Sequence, residues 1–197
     1  MVWPHWSGER AISGAPARDG FRDFFTATRG DRDPQGTVQV LTALDLALAD
    51  AEQGRPLTFA PMANWQRTVL RRRVAGFRTG PAFAKGGREC YGLTPHTRAQ
   101  FECRLSESTQ PGLPLPARAA RTYLDVLFFH PFEDGNARAA VVSMAFLLAR
   151  EGAPLDQVHP LQTTRWADDA QGAADLAVLL GILITAAERR LFSGMQP

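Results

Sequence analysis

The chain has 197 residues, 45% of them hydrophobic, which is enough for one domain with a sizeable core. Its formal net charge of +2 is too small to favour a nucleic-acid partner, and we interpret its one basic run, residues 71–73, as a solvated helix end. We find no apolar run that approaches the length of a membrane span and no signal-peptide pattern. We therefore expect a cytoplasmic protein that binds neither nucleic acid nor a membrane. Cys90 and Cys103 suit a reduced compartment, although they could form one disulfide.

Residues 1–36 predict a loosely structured N-terminal arm, and residues 37–197 predict the domain that it covers. The arm is rich in Gly, Pro, Arg and Asp, and we expect its aromatic side chains to lie on the domain. These are Trp3, Trp6, Phe21, Phe24 and Phe25. A short helix is predicted over 21–28.

Hydrophobic periodicity predicts a mostly α-helical domain. Helices are expected over 37–53, 58–73, 93–108, 117–129, 139–150 and 173–192, with a proline-rich connector at 110–116 and a polar segment before the last helix. The helix over 117–129 should bury one face, which carries Tyr123, Leu124, Leu127 and Phe128. The helix over 139–150 is apolar nearly all round, which predicts that it is buried.

Residues 76–91 predict a small β-hairpin. Apolar and polar residues alternate there around Gly86-Gly87, a turn signal. The exposed edge of such a hairpin can pair with an extended peptide through main-chain hydrogen bonds. A purely structural hairpin is the alternative.

The loop 130–138 reads His-Pro-Phe-Glu-Asp-Gly-Asn-Ala-Arg and opens the buried helix. Free N–H groups and the helix dipole make such an end attractive to anions, so we expect a nucleotide's phosphates on the amides of Gly135, Asn136 and Ala137, with Arg138 adding a guanidinium. Asp134 is the candidate ligand for Mg²⁺, and His130 the candidate base for an incoming hydroxyl. This chemistry is transfer of a phosphate-linked group from a nucleotide to a hydroxyl.

The loop resembles the signature of the Fic family, His-x-Phe-x-Asp/Glu-Gly-Asn-Gly-Arg-x-x-Arg. His130, Phe132, Asp134, Gly135, Asn136 and Arg138 match it. Ala137 stands where Gly is usual, and Val141 stands where the second Arg is usual.

The resemblance implies transfer of AMP from ATP to a Ser, Thr or Tyr hydroxyl of a target protein, with Mg²⁺. Death-on-curing (Doc) relatives are kinases that also lack the second Arg, although they carry Lys where this chain has Ala137. A Doc-like kinase is therefore one alternative. A degenerate nucleotide-binding module of a toxin–antitoxin pair is another.

The resemblance also implies that the hairpin is a flap that aligns the target, through Thr79, Gly80, Pro81, Ala82 and Phe83. Many Fic proteins inhibit themselves with a Ser/Thr-x-x-x-Glu helix, and no Ser or Thr of this chain is followed by Glu at that spacing. We therefore expect control by a separate, antitoxin-like partner or by expression level.

Overall fold

The computed structural model describes residues 18–153, 155–162 and 170–193, and this part of the chain forms seven helices and one two-stranded sheet. Trp3 and Trp6 lie outside the described residues. The helices are α1 (Gly20–Arg29), α2 (Pro34–Glu52), α3 (Phe59–Leu70), α4 (Thr97–Ser108), α5 (Leu115–Phe129), α6 (Asn136–Arg150) and α7 (Ala170–Ser193). The strands are β1 (Ala82–Ala84) and β2 (Glu89–Tyr91). The predicted mostly helical class, with a small hairpin, is confirmed.

Helix α6 is the centre of the core, as its apolar surface predicts. Every residue from Ala139 to Leu148 is buried. Helices α2, α3 and α5 pack around it, and α7 and α4 pack on α5. Because α6 is enclosed along most of its length, the position of its N-terminus is determined by the core.

The predicted short helix of the arm is present as α1. The Asp19 carboxylate accepts hydrogen bonds from the N–H groups of Phe21 and Arg22, which caps its N-terminus. Phe21 and Phe25 are buried in the core. Asp33 caps α2 in the same way, and Pro34 occupies the first helical position, three residues earlier than predicted.

The buried side of α5 matches the predicted one only in part, because Leu124 is buried as expected but the other three residues are more exposed. Phe128 is 49% exposed, while Tyr123 and Leu127 are half-buried. The stripe that packs inward instead follows the spacing of one helical face, and it consists of Leu115, Ala119, Thr122, Val126 and Phe129. Because this stripe contains small and hydroxyl side chains, a search for large apolar residues at helical spacing does not find it.

Helix α4 begins four residues later than predicted, at Thr97. Pro95 disfavours helical geometry at Thr94. The Thr94 N–H donates instead to the Thr97 hydroxyl, 2.9 Å away, so the chain turns before the helix starts.

By length and composition, α7 could cross a membrane over Ala170–Leu191, so the prediction that no apolar run approaches that length is wrong. The same composition suits a helix packed in a protein core. Leu176, Leu180 and Ile184 of α7 are buried in the core of this chain. The cytoplasmic location stays a prediction.

The buried hydroxyl of Ser143 leads to a prediction about stability. Its hydroxyl is buried inside α6 and has no hydrogen-bond partner among the described residues. A buried hydroxyl without a partner is costly, and Ala is the better helix former, so we expect Ser143→Ala to raise the free energy of unfolding by about 1 kcal/mol. Urea denaturation measures this difference.

Ser108 is the matched control, because its hydroxyl is equally buried but donates to the Leu105 carbonyl at 2.6 Å. Ser108→Ala should therefore lower the free energy of unfolding by about 1 kcal/mol. A loss of stability in both variants would contradict the interpretation of Ser143.

Candidate active site

The predicted loop joins the C-terminus of α5 to the N-terminus of α6. It is shorter than expected, because α6 begins at Asn136 rather than at residue 139. Gly135 precedes the helix with φ 75°, a left-handed conformation that favours glycine. A Cβ atom there would also lie 2.5 Å from Nε2 of Gln66. Asn136, Ala137 and Arg138 therefore form the first turn of a helix.

His130 ends α5 in a left-handed conformation, with φ 44°. Its Nδ1 lies 2.5 Å from the Leu127 carbonyl oxygen. Because a carbonyl only accepts, Nδ1 carries the proton, and Nε2 is the unprotonated nitrogen of the neutral ring. Burial lowers the pKa of His130, although the bond to Leu127 opposes this shift. The imidazole is therefore neutral at pH 7, the state that a general base requires.

Arg78 joins the hairpin segment to this loop. Only 4% of the residue is exposed, and its guanidinium donates exclusively to backbone carbonyls. The acceptors are His130 (2.7 Å), Gly80 (2.6 Å), Gly92 (2.6 Å) and Phe129 (3.3 Å). The backbone N–H of Arg78 donates to the Pro131 carbonyl at 2.9 Å. One side chain thus holds both ends of the hairpin against the backbone that carries His130.

Asn136 and Phe132 brace the loop from inside. The Asn136 side chain is buried, and its amide oxygen accepts from the Phe132 N–H at 3.0 Å, while its Nδ2 donates to the Phe132 carbonyl at 2.8 Å. Phe132 is 1% exposed and stacks on Phe59. The Asn136 side chain is thus committed to the loop, which leaves its backbone N–H as its contribution toward an anion.

The first N–H groups of α6 form the anion-binding candidate. No described residue accepts from the N–H groups of Asn136, Ala137 or Arg138, which we call the amide nest. The N–H of Gly135 was expected to be free as well, but it donates to Oδ1 of Asp134 at 2.6 Å. A short Asp side chain commonly bonds to nearby backbone in this way. Gln66 holds the Asp134 carbonyl through a 2.6 Å bond from its Nε2.

The Asp134 carboxylate is 73% exposed and lies 3.5 Å from the Arg138 guanidinium. No group of three or more potential metal-ligating side chains occurs among the described residues. A single exposed carboxylate beside free amides still fits Mg²⁺, which keeps several waters and takes its other ligands from substrate phosphates. The neighbouring Glu133 pairs with Arg72 at 2.7 Å.

The predicted hairpin lies beside His130. Ala82 pairs with Tyr91, Phe83 with Cys90 and Ala84 with Glu89. Thr79 and Pro81 are exposed ahead of β1, where Gly80 accepts from Arg78, while Ala82 is buried and Phe83 is 60% exposed. From β2, the Tyr91 ring stacks on the His130 imidazole with centroids 3.5 Å apart. The aligning role of these residues stays a prediction.

Two solved structures are similar to this chain in fold. The first is IbpAFic2, with a TM-score of 0.60 and 19% identity. The match covers 84% of this chain and 60% of the IbpAFic2 chain. The second is a Fic domain containing signaling protein from Bacteroides thetaiotaomicron, with a TM-score of 0.53 and 19% identity over 85% of this chain and 80% of that one. The chain has the fold of a Fic domain. No protein-family model and no curated protein matches the sequence.

Both departures from the Fic signature fit this fold without strain. Ala137 lies inside α6 and is not among the residues with positive φ, so its Cβ meets no backbone penalty. Val141 is 7% exposed and belongs to the core. It lies three residues after Arg138, on the same side of the helix. The N-terminal part of α6 therefore has an apolar side chain where the Fic signature usually has a second guanidinium.

Arg29 is a charged neighbour of Arg138 that sequence analysis missed. It ends α1 and pairs with Asp33 at 2.6 Å. Burial lowers the pKa of Arg138, Asp134 raises it, and Arg29 lowers it further. Arg29 Nε is buried without a hydrogen-bond partner among the described residues. Because α1 falls in the predicted arm, no sequence pattern indicates this proximity.

The hydrogen bonds of Arg78 lead to a prediction about the stability of the fold around the site. Arg78→Met keeps much of the volume but leaves four carbonyl oxygens without their donor, so we expect the free energy of unfolding to fall by about 3 kcal/mol. Thermal and urea denaturation measure the loss.

Arg88→Met is the control, because Arg88 is an exposed arginine of the same hairpin that donates to a single carbonyl, that of Lys85. This variant should unfold within about 0.5 kcal/mol of the wild type. Equal stability of the two variants would show that Arg78 does not hold the hairpin to the loop.

Proposed function

We propose that this chain transfers AMP from ATP to a Ser, Thr or Tyr hydroxyl of a target protein. The proposal is supported by the meeting of two features in one short loop. One is the neutral His130 imidazole with an unprotonated Nε2. The other is the amide nest with Arg138 beside it. A base and an anion site this close suit transfer of a phosphate-linked group to a hydroxyl.

The proton of the target hydroxyl passes to His130 Nε2 as the hydroxyl oxygen attacks the α-phosphorus. The new bond joins that oxygen to phosphorus, and pyrophosphate leaves with the electrons of the broken bond. A general base alone contributes on the order of 10²–10⁴ in rate. Most of the acceleration therefore comes from positioning and from charge stabilisation at the amide nest.

The β- and γ-phosphates are the groups that the amide nest and Arg138 hold in this scheme. Backbone N–H groups at a helix N-terminus favour anions, and a guanidinium donates two parallel bonds to phosphate oxygens. With the distal phosphates there, the α-phosphorus faces His130. Arg29 adds a further positive charge on the same side, although its partner Asp33 offsets it.

Asp134 is the residue that would hold Mg²⁺. The bound ion supplies charge neutralisation of the phosphate oxygens. The exposure of the carboxylate and its position next to the amide nest support this assignment.

The hairpin would align the target. Among the described residues no strand pairs with the outer edge of β1, so this edge could pair with an extended segment of another protein. Thr79, Gly80 and Pro81 lead into that edge, Ala82 is anchored inward, and Phe83 is exposed beside it. A separate inhibitory partner would regulate the reaction, because the sequence lacks the self-inhibiting pattern.

A protein kinase is the second candidate, and Val141 is the observation that favours it. Loss of one charge-assisted contact to the distal phosphates costs about 1.5–3 kcal/mol. A reversed nucleotide would place the γ-phosphorus at His130, and phosphate alone would be transferred. Residue 137 is Ala rather than Lys, so it gives the reversed orientation no extra cation.

ATP labelled on the α- or the γ-phosphate separates the two functions. We expect protein-bound label from the α position only, with the purified chain or a bacterial lysate as acceptor. Label from γ alone would replace AMP transfer with the kinase. His130→Ala should bind ATP but transfer nothing, because the ring contacts no phosphate in this scheme. Wild type that binds ATP and labels nothing under any condition would indicate a binding module.

Asp134→Asn should raise the Mg²⁺ concentration needed for half-maximal transfer by about tenfold or more, since a neutral amide is a weaker ligand for this cation. A Mg²⁺ titration at fixed ATP measures the shift. Glu133→Gln is the matched control, because it removes the adjacent carboxylate, which pairs with Arg72 instead. Coincident titrations of Asp134→Asn and wild type would place the metal elsewhere.

A further inference from the structure

The hairpin places an aromatic ring directly on the candidate base. The Tyr91 and His130 ring centroids are 3.5 Å apart, and the ring planes differ by 15°. Aromatic pairs in proteins usually have centroids about 4.5–7 Å apart. This pair is therefore in face contact, and Tyr91 shields one face of the imidazole from solvent.

The Tyr91 ring is held by its own strand. Its hydroxyl donates to Oε2 of Glu89 at 3.0 Å, and Oε1 of Glu89 accepts from the Lys85 ammonium at 2.6 Å. Glu89 and Tyr91 are two residues apart on β2, so their side chains leave the same face. Lys85, Glu89 and Tyr91 thus form a row of contacts, and the last of them packs on the His130 ring.

Two further contacts hold His130 in place. Its Nδ1 bonds to Leu127, and its backbone carbonyl accepts from Arg78. One edge is thus bonded and one face is covered, and no described residue bonds to Nε2, so this edge is the one that a substrate could reach. Two charged groups act on the ring: Arg78 lowers the pKa of His130 and Glu89 raises it, while burial is the largest cause of its lowered pKa.

We propose that Tyr91 is a positioning residue, which holds the His130 imidazole in its reactive plane and keeps it dehydrated, and that Glu89 holds Tyr91 in that place. The hairpin that would receive the target then also sets the orientation of the base. This deepens the proposed AMP transfer and rests on it for its kinetic part.

The imidazole titration gives a test that does not depend on any activity. NMR of the ring protons across pH reports the pKa of His130 directly, with the signal of His96 at the start of α4 as internal reference. Tyr91→Ala should raise the pKa of His130, because the ring becomes hydrated. Glu89→Gln should lower it, because the negative charge that favours the imidazolium is removed. Tyr91→Phe keeps the stack and should lie between wild type and Tyr91→Ala.

Kinetics then test the positioning itself. Tyr91→Ala should lower kcat on the order of tenfold, a part of what a general base contributes, with an unchanged KM for ATP and an acid limb of the pH profile moved to higher pH. Tyr91→Phe should recover most of kcat. An imidazole titration that is the same in wild type, Tyr91→Ala and Glu89→Gln would overturn the proposal, whatever the folded chain transfers. If the pKa of His130 shifts as expected in the variants but the wild type transfers nothing, only the proposed function is refuted.

Discussion

The site depends on the buried guanidinium of Arg78. The planar fork of a guanidinium has five N–H donors in fixed directions, so it can bond to four carbonyl oxygens at once, more than the three donors of an ammonium allow. Here the acceptors belong to the last turn of α5, to His130 and to both ends of the hairpin segment. Because burying a cation is costly unless it is fully bonded, the fork and its carbonyls stabilise each other only in this one arrangement. The hairpin segment and the backbone that carries the base are consequently bonded to each other through one side chain.

Helix α6 contributes to the site in a different way. Its side chains fill the core, so its axis cannot tilt without opening cavities. Its peptide dipoles therefore point at one fixed place, the loop after His130. The first turn is also braced by Asn136, whose side chain closes two bonds on Phe132. The first N–H groups of this buried helix, which no described residue accepts from, are thereby held in fixed positions, so an anion that bound there would require little reorganisation.

Local signals in the sequence are sufficient for the helical class, the hairpin and the loop. The apolar surface of α6 predicts its burial, and Gly135-Asn136 predicts the turn into it. The buried stripe of α5 is missed, because Ala119 and Thr122 are too small or too polar to register. Arg78, Gln66, Tyr91 and Arg29 are missed for another reason: each acts across the fold, on a backbone carbonyl, a ring or a charge that is distant in sequence. The alternation of Glu89 and Tyr91 is the one pattern from which their shared face could have been inferred.

The Asp134 carboxylate already interacts with two donors at the start of α6. It accepts the Gly135 N–H and pairs with Arg138, so an incoming anion competes with a tethered one. In the proposed reaction, a cation that holds Asp134 would weaken that competition, and the two ligands would therefore increase each other's affinity by the same factor. An anion that arrives with its counter-cation would then bind at this loop more readily than a free anion.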